Sequence, residues 1–265
     1  MPIHITKTIK TSLREVWSHK KNWIRLAFAP LVIVGASLLL VSLSAFYEST
    51  PDAPAAFFSV EGILVLFSKI FYVLSLLIAV PILEINGFRY AVLGEKRNTW
   101  WTLQLNRRFI KFFIYNLLIQ GANFLYFFVA TFCLLQAHLF HQSIFLSTAL
   151  GLALGLFAFY LFFRLGFFKL LIAIDKPSPL KESWHLLKDH VVRLFGLTIL
   201  VTLGFVLAFL LVFGITAGLL LPFDTNPFVY LSVGFVLAPI AWFFSWATLT
   251  QTYAHAYKAI QKKKA

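Results

Sequence analysis

The sequence predicts an all-α, polytopic membrane protein: a single domain over residues 1–265 with six transmembrane helices, short interfacial helices at one face and both termini cytoplasmic. Three observations carry this expectation. Charged residues make up only 12% of the chain against 60% hydrophobic ones, whereas a soluble domain carries about 25% charged residues. Six apolar stretches are each long enough to cross a hydrocarbon core as a helix, which takes about 20 residues. The basic residues avoid every second connection between those stretches.

The stretches are 26–47, 62–83, 112–136, 143–163, 194–221 and 229–250. Each is expected to be helical, because a lone strand in lipid leaves its peptide groups unpaired. Polar residues extend to about Asn22 before the first stretch, so that stretch reads as a retained span and not as a cleavable leader. Pro81 and Pro239 fall inside stretches and are expected to kink them.

The connections 49–58, 137–142 and 222–227 contain no lysine or arginine, while 1–25, 84–111, 164–193 and 251–265 hold 22 of the 23. Basic connections stay on the cytoplasmic side. An even number of spans then leaves both termini there, in a cell inner membrane. The net charge of +13 becomes a membrane-face charge. It is drawn to anionic headgroups, at about 1 kcal/mol per lysine or arginine near the surface. Nucleic acid is not an expected partner, because the charge is spread over four segments that flank spans.

The chain also reads as three related units. A basic, tryptophan-containing segment precedes an apolar hairpin at Ser12–Trp17, Thr99–Leu103 and Ser183–Lys188, with Ser12, Thr99 and Ser183 spaced 87 and 84 residues apart. Each unit is read as an interfacial helix followed by two antiparallel spans. Tryptophan and basic residues also gather at the inner boundary of any multi-span protein, so the pattern has two readings.

A few residues stand out as candidates for a site. Lys69 is the only charge well inside a stretch. An intramembrane cation is either functional or snorkels outward along its stem, with Glu61 two turns away as a partner. Asn116, Gln120 and Asn123 share one helix face, where amides either bond neighbouring helices or line a polar cavity. Gly151–Gly155 and Gly214–Gly218 are GxxxG spacings that suit close helix packing. Glu84 and Arg89 are expected to pair after the second span, and Arg89, Arg164, Lys188 and Arg193 are candidate headgroup contacts on the cytoplasmic face.

Catalytic signatures do not emerge. The chain has no GxxxxGK[ST] loop, no HExxH and no GxSxG elbow, so no catalytic residue, cofactor or metal ligand is assigned. Cys133 is a lone thiol in an apolar run, and His138 and His141 lie in a connection without an acid. Both are read as structural or headgroup-level residues. A convergence of Glu84, Asp175 and His190 at the inner face is the one arrangement that would suit lipid chemistry.

The segment from Arg164 to Gly196 carries a more specific pattern. An arginine closes the fourth span, Asp175 follows, and Leu180, Ser183, Trp184, Leu186 and Lys188 are spaced as Leu-x-x-Ser-Trp-x-Leu-x-Lys. This resembles a group of six-span bacterial membrane proteins. The group includes the YciC-like proteins and the membrane domain fused to some glycerophosphodiester phosphodiesterases. The match covers about 33 residues. Pro179 and Asp189 depart from it, and Ser178 with Pro179 suits a capped helix start. The resemblance implies a plasma-membrane six-helix bundle and brings no activity. The expected role is therefore non-enzymatic envelope maintenance or membrane organisation. The alternative is a small-solute or lipid permease with its polar site near Asn116, Gln120 and Asn123.

Overall fold

The computed structural model describes residues 4–48, 60–96, 100, 105–118, 160–161, 163–220 and 227–262, together with isolated positions between 121 and 157. Side chains at 42, 45–48, 60–61 and 216–240 are not among those described. Every regular element among these residues is a helix. They are α1 (Ile5–Ser18), α2 (Lys20–Glu48), α3 (Val60–Leu93), α4 (Phe168–Ala173), α5 (Pro179–Leu186), α6 (Val191–Leu220) and α7 (Pro227–Gln261). A further helical stretch covers 107–118.

Among the described residues, Lys20–Val41, Gly62–Leu93 and Val191–Ile215 are long and apolar enough to cross a membrane. Three helices, not six, meet that measure. Most of 112–136 and 143–163 lies outside the described residues, while 229–250 lies within α7.

The helices run well past the apolar stretches at the basic end. α3 continues ten residues beyond position 83, and α7 eleven beyond position 250. At 1.5 Å per residue each extension is about 15 Å long. Nothing between Leu83 and Leu93 stops a helix: no proline intervenes, and Gly94 is the first residue with a positive φ, +73°. Its N–H closes on Tyr90 O at 3.0 Å, the glycine C-terminal cap.

Packing is concentrated at this same end. One buried cluster joins Ile82, Ile85 and Phe88 to Phe112, Phe167, Leu187, Leu194 and Ala256. The other joins Val16, Trp23 and Leu26 to Leu83, Tyr90, Phe243 and Ala254. Away from it the helix surfaces are apolar and exposed, as at Leu39, Leu43, Ile63, Phe67, Leu207 and Leu211. A water-soluble monomer does not present apolar surface of this extent.

α2 and α3 form an antiparallel hairpin. Asn22 donates to the Tyr90 hydroxyl at 3.1 Å near one end, and Ser44 meets Ser68 at 2.8 Å toward the other. α6 and α7 pair likewise, with Thr198 and Tyr253 hydroxyls 3.1 Å apart. Two of the three expected leading helices are present. α1 and α5 each bury their serine, Ser12 or Ser183, and the apolar residue four further on, Val16 or Leu187. The corresponding part of the middle unit, Thr99–Leu103, lies outside the described residues apart from Trp100.

Candidate functional site

The polar chemistry gathers where the helix ends meet. Lys169, the second residue of α4, donates to both carboxylate oxygens of Glu84 on α3 at 2.9 Å. Glu84 therefore does not pair with Arg89. Because α3 stays helical there, five residues at 3.6 per turn point the two side chains about 140° apart.

Arg89 is instead a junction. Its guanidinium donates from Nε to Glu95 Oε2 at 2.7 Å, and from Nη1 to Ala173 O at 2.9 Å and to Asp175 Oδ2 at 3.1 Å. The turn at Gly94 brings Glu95 back beside it. Arg108, from the 107–118 stretch, grips Asp175 with Nε on Oδ1 at 2.7 Å and Nη2 on Oδ2. One carboxylate thus fastens two guanidiniums from different elements. Arg108, by hydrogen bond and by charge, holds the Asp175 carboxyl below its ordinary value, Arg89 adds to this, and partial burial opposes it.

Asp175 is also the one described non-glycine residue at positive φ, +61°. The Asp175 N–H bonds Ile172 O, and the Lys176 N–H bonds Leu171 O. This is the hydrogen-bond pattern of a Schellman cap, whose αL position is usually glycine.

The residues of the Arg164 to Lys188 pattern form a clasp. Arg164 is 6% exposed. Its guanidinium lies 4.6 Å over the Trp184 ring and 5.8 Å over Tyr160, and Nη1 donates to Lys188 O at 3.1 Å. The Ser183 hydroxyl donates to Arg164 O at 3.3 Å and accepts from the Phe167 N–H at 3.2 Å. It thereby supplies a partner to backbone groups freed where the helix breaks. Leu186 is buried and Leu180 packs on the same core. Pro179 occupies the first turn of α5 as expected, but Ser178 makes no side-chain cap bond.

A third junction ties the first helix to the last. Glu15 Oε2 lies 3.0 Å from His255 Nε2 and also accepts from Gln251. Lys258 donates to Ala91 O at 2.9 Å. Trp23 is buried edge-on between Tyr90 and Trp246, at 5.2 and 5.4 Å.

Between these junctions lies a cavity of about 250 Å³. Glu84 and Lys169 stand in its wall with Asn116, Thr198, Trp246 and Tyr253, and the rest of the lining is largely apolar. Asn116 Oδ1 and Trp246 Nε1 are buried there without a hydrogen-bond partner among the described residues.

Of the expected site residues, the structure brings Asn116 to this cavity. Gln120 and Asn123 lie outside the described residues, as do Cys133, His138, His141 and Gly151. Lys69 is exposed on α3, away from the cavity lining. Arg89 and Arg164 are committed within the protein, which leaves exposed Lys188 and Arg193 as the outward-facing members of the headgroup set. Glu84 and Asp175 are each held by different cations and do not share a partner. Among the described residues, a Cβ placed at Gly155 or Gly214 meets nothing within 4 Å, while Gly151 and the surroundings of Gly218 lie outside them.

Lys169 and Trp246 are functional candidates that sequence reasoning missed. Each reads as an ordinary boundary residue until the hairpins are packed. Among the described residues, no three of His, Cys, Asp or Glu come together to hold a metal. No family model matches the chain, and neither a curated protein nor a solved structure does.

Proposed function

We propose that the chain is a six-span protein of the cell inner membrane, with both termini cytoplasmic, that organises the bilayer through lipid contacts and not by catalysis. It would belong with the YciC-like group that its Arg164–Lys188 pattern resembles, with three helix-hairpin units. One observation carries this. Every described ion pair joins residues of the four basic segments, 1–25, 84–111, 164–193 and 251–265. Segments that touch lie on one side of a membrane, so an even number of crossings separates each from the next. The hairpin of α2 and α3 supplies the first pair of crossings, and that of α6 and α7 the last.

The exposed cations on that face, Lys188 and Arg193 among them, would then meet anionic headgroups. α1 supports this: Leu13 and Trp17 are exposed, Trp17 by 63%, with Lys20 Nζ 4.6 Å from the Trp17 ring. An interfacial helix presents this combination to lipid. The test is the selectivity of spin-labelled lipids for the reconstituted full chain. An anionic lipid should be preferred over a neutral one. Lys188→Gln with Arg193→Gln should reduce that preference, as should high salt. Selectivity that neither the variant nor salt changes would contradict the proposal.

A second reading, a small-solute or lipid permease, draws on the cavity that Asn116 lines. It predicts solute flux in reconstituted vesicles that Asn116→Ala abolishes.

A further inference from the structure

We infer that the cavity at Glu84 and Lys169 takes a zwitterionic amine–phosphate group, of the kind borne by an ethanolamine phospholipid. The inference rests on the membrane reading above and goes beyond it in naming a ligand chemistry. Three observations lead to it.

The first is charge. The Lys169 ammonium is held at 2.9 Å by both oxygens of Glu84, so the wall presents a cation and an anion side by side. A lone anion that bound Lys169 would leave the part-buried Glu84 unpaired, a costly state. A lone cation would do the same to Lys169. A ligand that carries both charges replaces each partner as it enters, with its ammonium on Glu84 and its phosphate on Lys169.

The second is the remainder of the wall. Asn116 Oδ1 is an acceptor and Trp246 Nε1 a donor, both buried without partners among the described residues. Both atoms are covered, so they stand behind the lining and are not surface that the ligand meets. The paired Thr198 and Tyr253 hydroxyls add polar surface, while Phe88, Leu165, Phe168 and Leu249 are apolar.

The third is place and size. Glu84 and Lys169 lie one and six residues outside the apolar stretches, whereas Asn116 and Trp246 lie four residues inside theirs. That is about 6 Å of helix, so the cavity straddles the headgroup level. At about 250 Å³ it falls just below the usual 300–1,000 Å³ of small-molecule pockets. It accommodates a headgroup and leaves acyl chains in the bilayer.

The experiment uses the full-length protein in detergent micelles. Native mass spectrometry measures binding of phosphatidylethanolamine and of phosphatidylglycerol with identical acyl chains, with free O-phosphoethanolamine as competitor. The ethanolamine lipid should bind at least tenfold more tightly than the glycerol lipid. Two variants are compared: Glu84→Gln with Lys169→Met, which removes both charges at similar volume, and Leu249→Phe, which fills the cavity and leaves the ion pair. Each should lose that preference, and if the first unfolds, the second decides alone.

Displacement of the lipid by free O-phosphoethanolamine at matched concentration supports the same chemistry from a soluble source, and its failure to compete assigns the source to lipid. Equal binding of the two lipids, tighter binding of the glycerol lipid, or preference retained in a folded variant overturns the inference. Resistance of the chain to alkaline carbonate extraction is read separately. Extraction would sink the membrane reading, whereas an integrated chain without headgroup preference would sink only this one.

Discussion

Asp175 does two jobs that pull against each other. Its backbone occupies a conformation that glycine adopts without cost, while its carboxylate fastens Arg89 and Arg108. Glycine there would relax the backbone and release both cations. Asp175→Asn is the cleaner probe, because asparagine tolerates αL as well as aspartate does. The Asp175 carboxyl is held below the ordinary range near 3.9, so its contribution is present above that range and lost as pH falls through the folded value. The asparagine variant should therefore be less stable than the parent at neutral pH, and the gap should narrow as the pH falls below about 4 towards the lowered folded value. With the carboxylate 53% exposed, solvent screening keeps the expected difference to at most about 1 kcal/mol. Thermal unfolding from about pH 7 downward checks this, and a gap that does not narrow as the pH falls below the ordinary carboxylate range would place the effect in the backbone instead.

At the scale of elements, the contact between α3 and α7 turns on one glycine. A Cβ at Gly87 would stand 2.5 Å from Trp246 Cζ2 and 3.2 Å from Thr250 Cγ2. Trp246 has little freedom to yield, because it is already packed on Trp23 and Phe243. Gly87→Ala should destabilise the chain by about 1–3 kcal/mol through overpacking. Gly214→Ala, with nothing within 4 Å among the described residues, should be neutral or slightly stabilising, since alanine is the better helix former. Equal effects in melting experiments would count against the close approach.

The same pair of glycines shows what the sequence reveals and what it withholds. The GxxxG spacing draws attention to Gly214, yet the tight contact belongs to Gly87, which no local pattern marks. Apolar length places α2, α3 and α6, and the internal prolines Pro30 and Pro81 do not end α2 and α3. Composition does not show that α3 and α7 run on past their apolar stretches, because a helix has no reason to stop where apolar sequence ends.

The whole molecule is a packed head with apolar limbs. Among the described residues, the buried clusters and the ion pairs named above lie at the basic end, and the long helices leave it with largely exposed apolar flanks. The alternation of basic and base-free connections anticipates which segments share a face. The individual partners are not legible in that alternation. Glu84 meets Lys169 across 85 residues, and Glu15 meets His255 across 240. Those pairings depend on how hairpins pack against one another, which composition and spacing do not encode. Asn116 is the member of the amide face that the described structure places at a cavity, and its neighbours there come from five other elements or turns. The Arg164–Lys188 pattern was visible as a pattern, but its physical content, a buried cation beneath Trp184 with Ser183 stitching the broken helix, required the fold.

The measurement that tests the central claim most directly is side-specific labelling of single cysteines in intact cells, in a Cys133→Ser background. Lys96→Cys, Lys188→Cys and Lys262→Cys should resist a membrane-impermeant maleimide until the cells are permeabilised, while Asp52→Cys, His141→Cys and Asp224→Cys should react without permeabilisation. Labelling of Lys188→Cys or Lys262→Cys from outside intact cells would contradict the account.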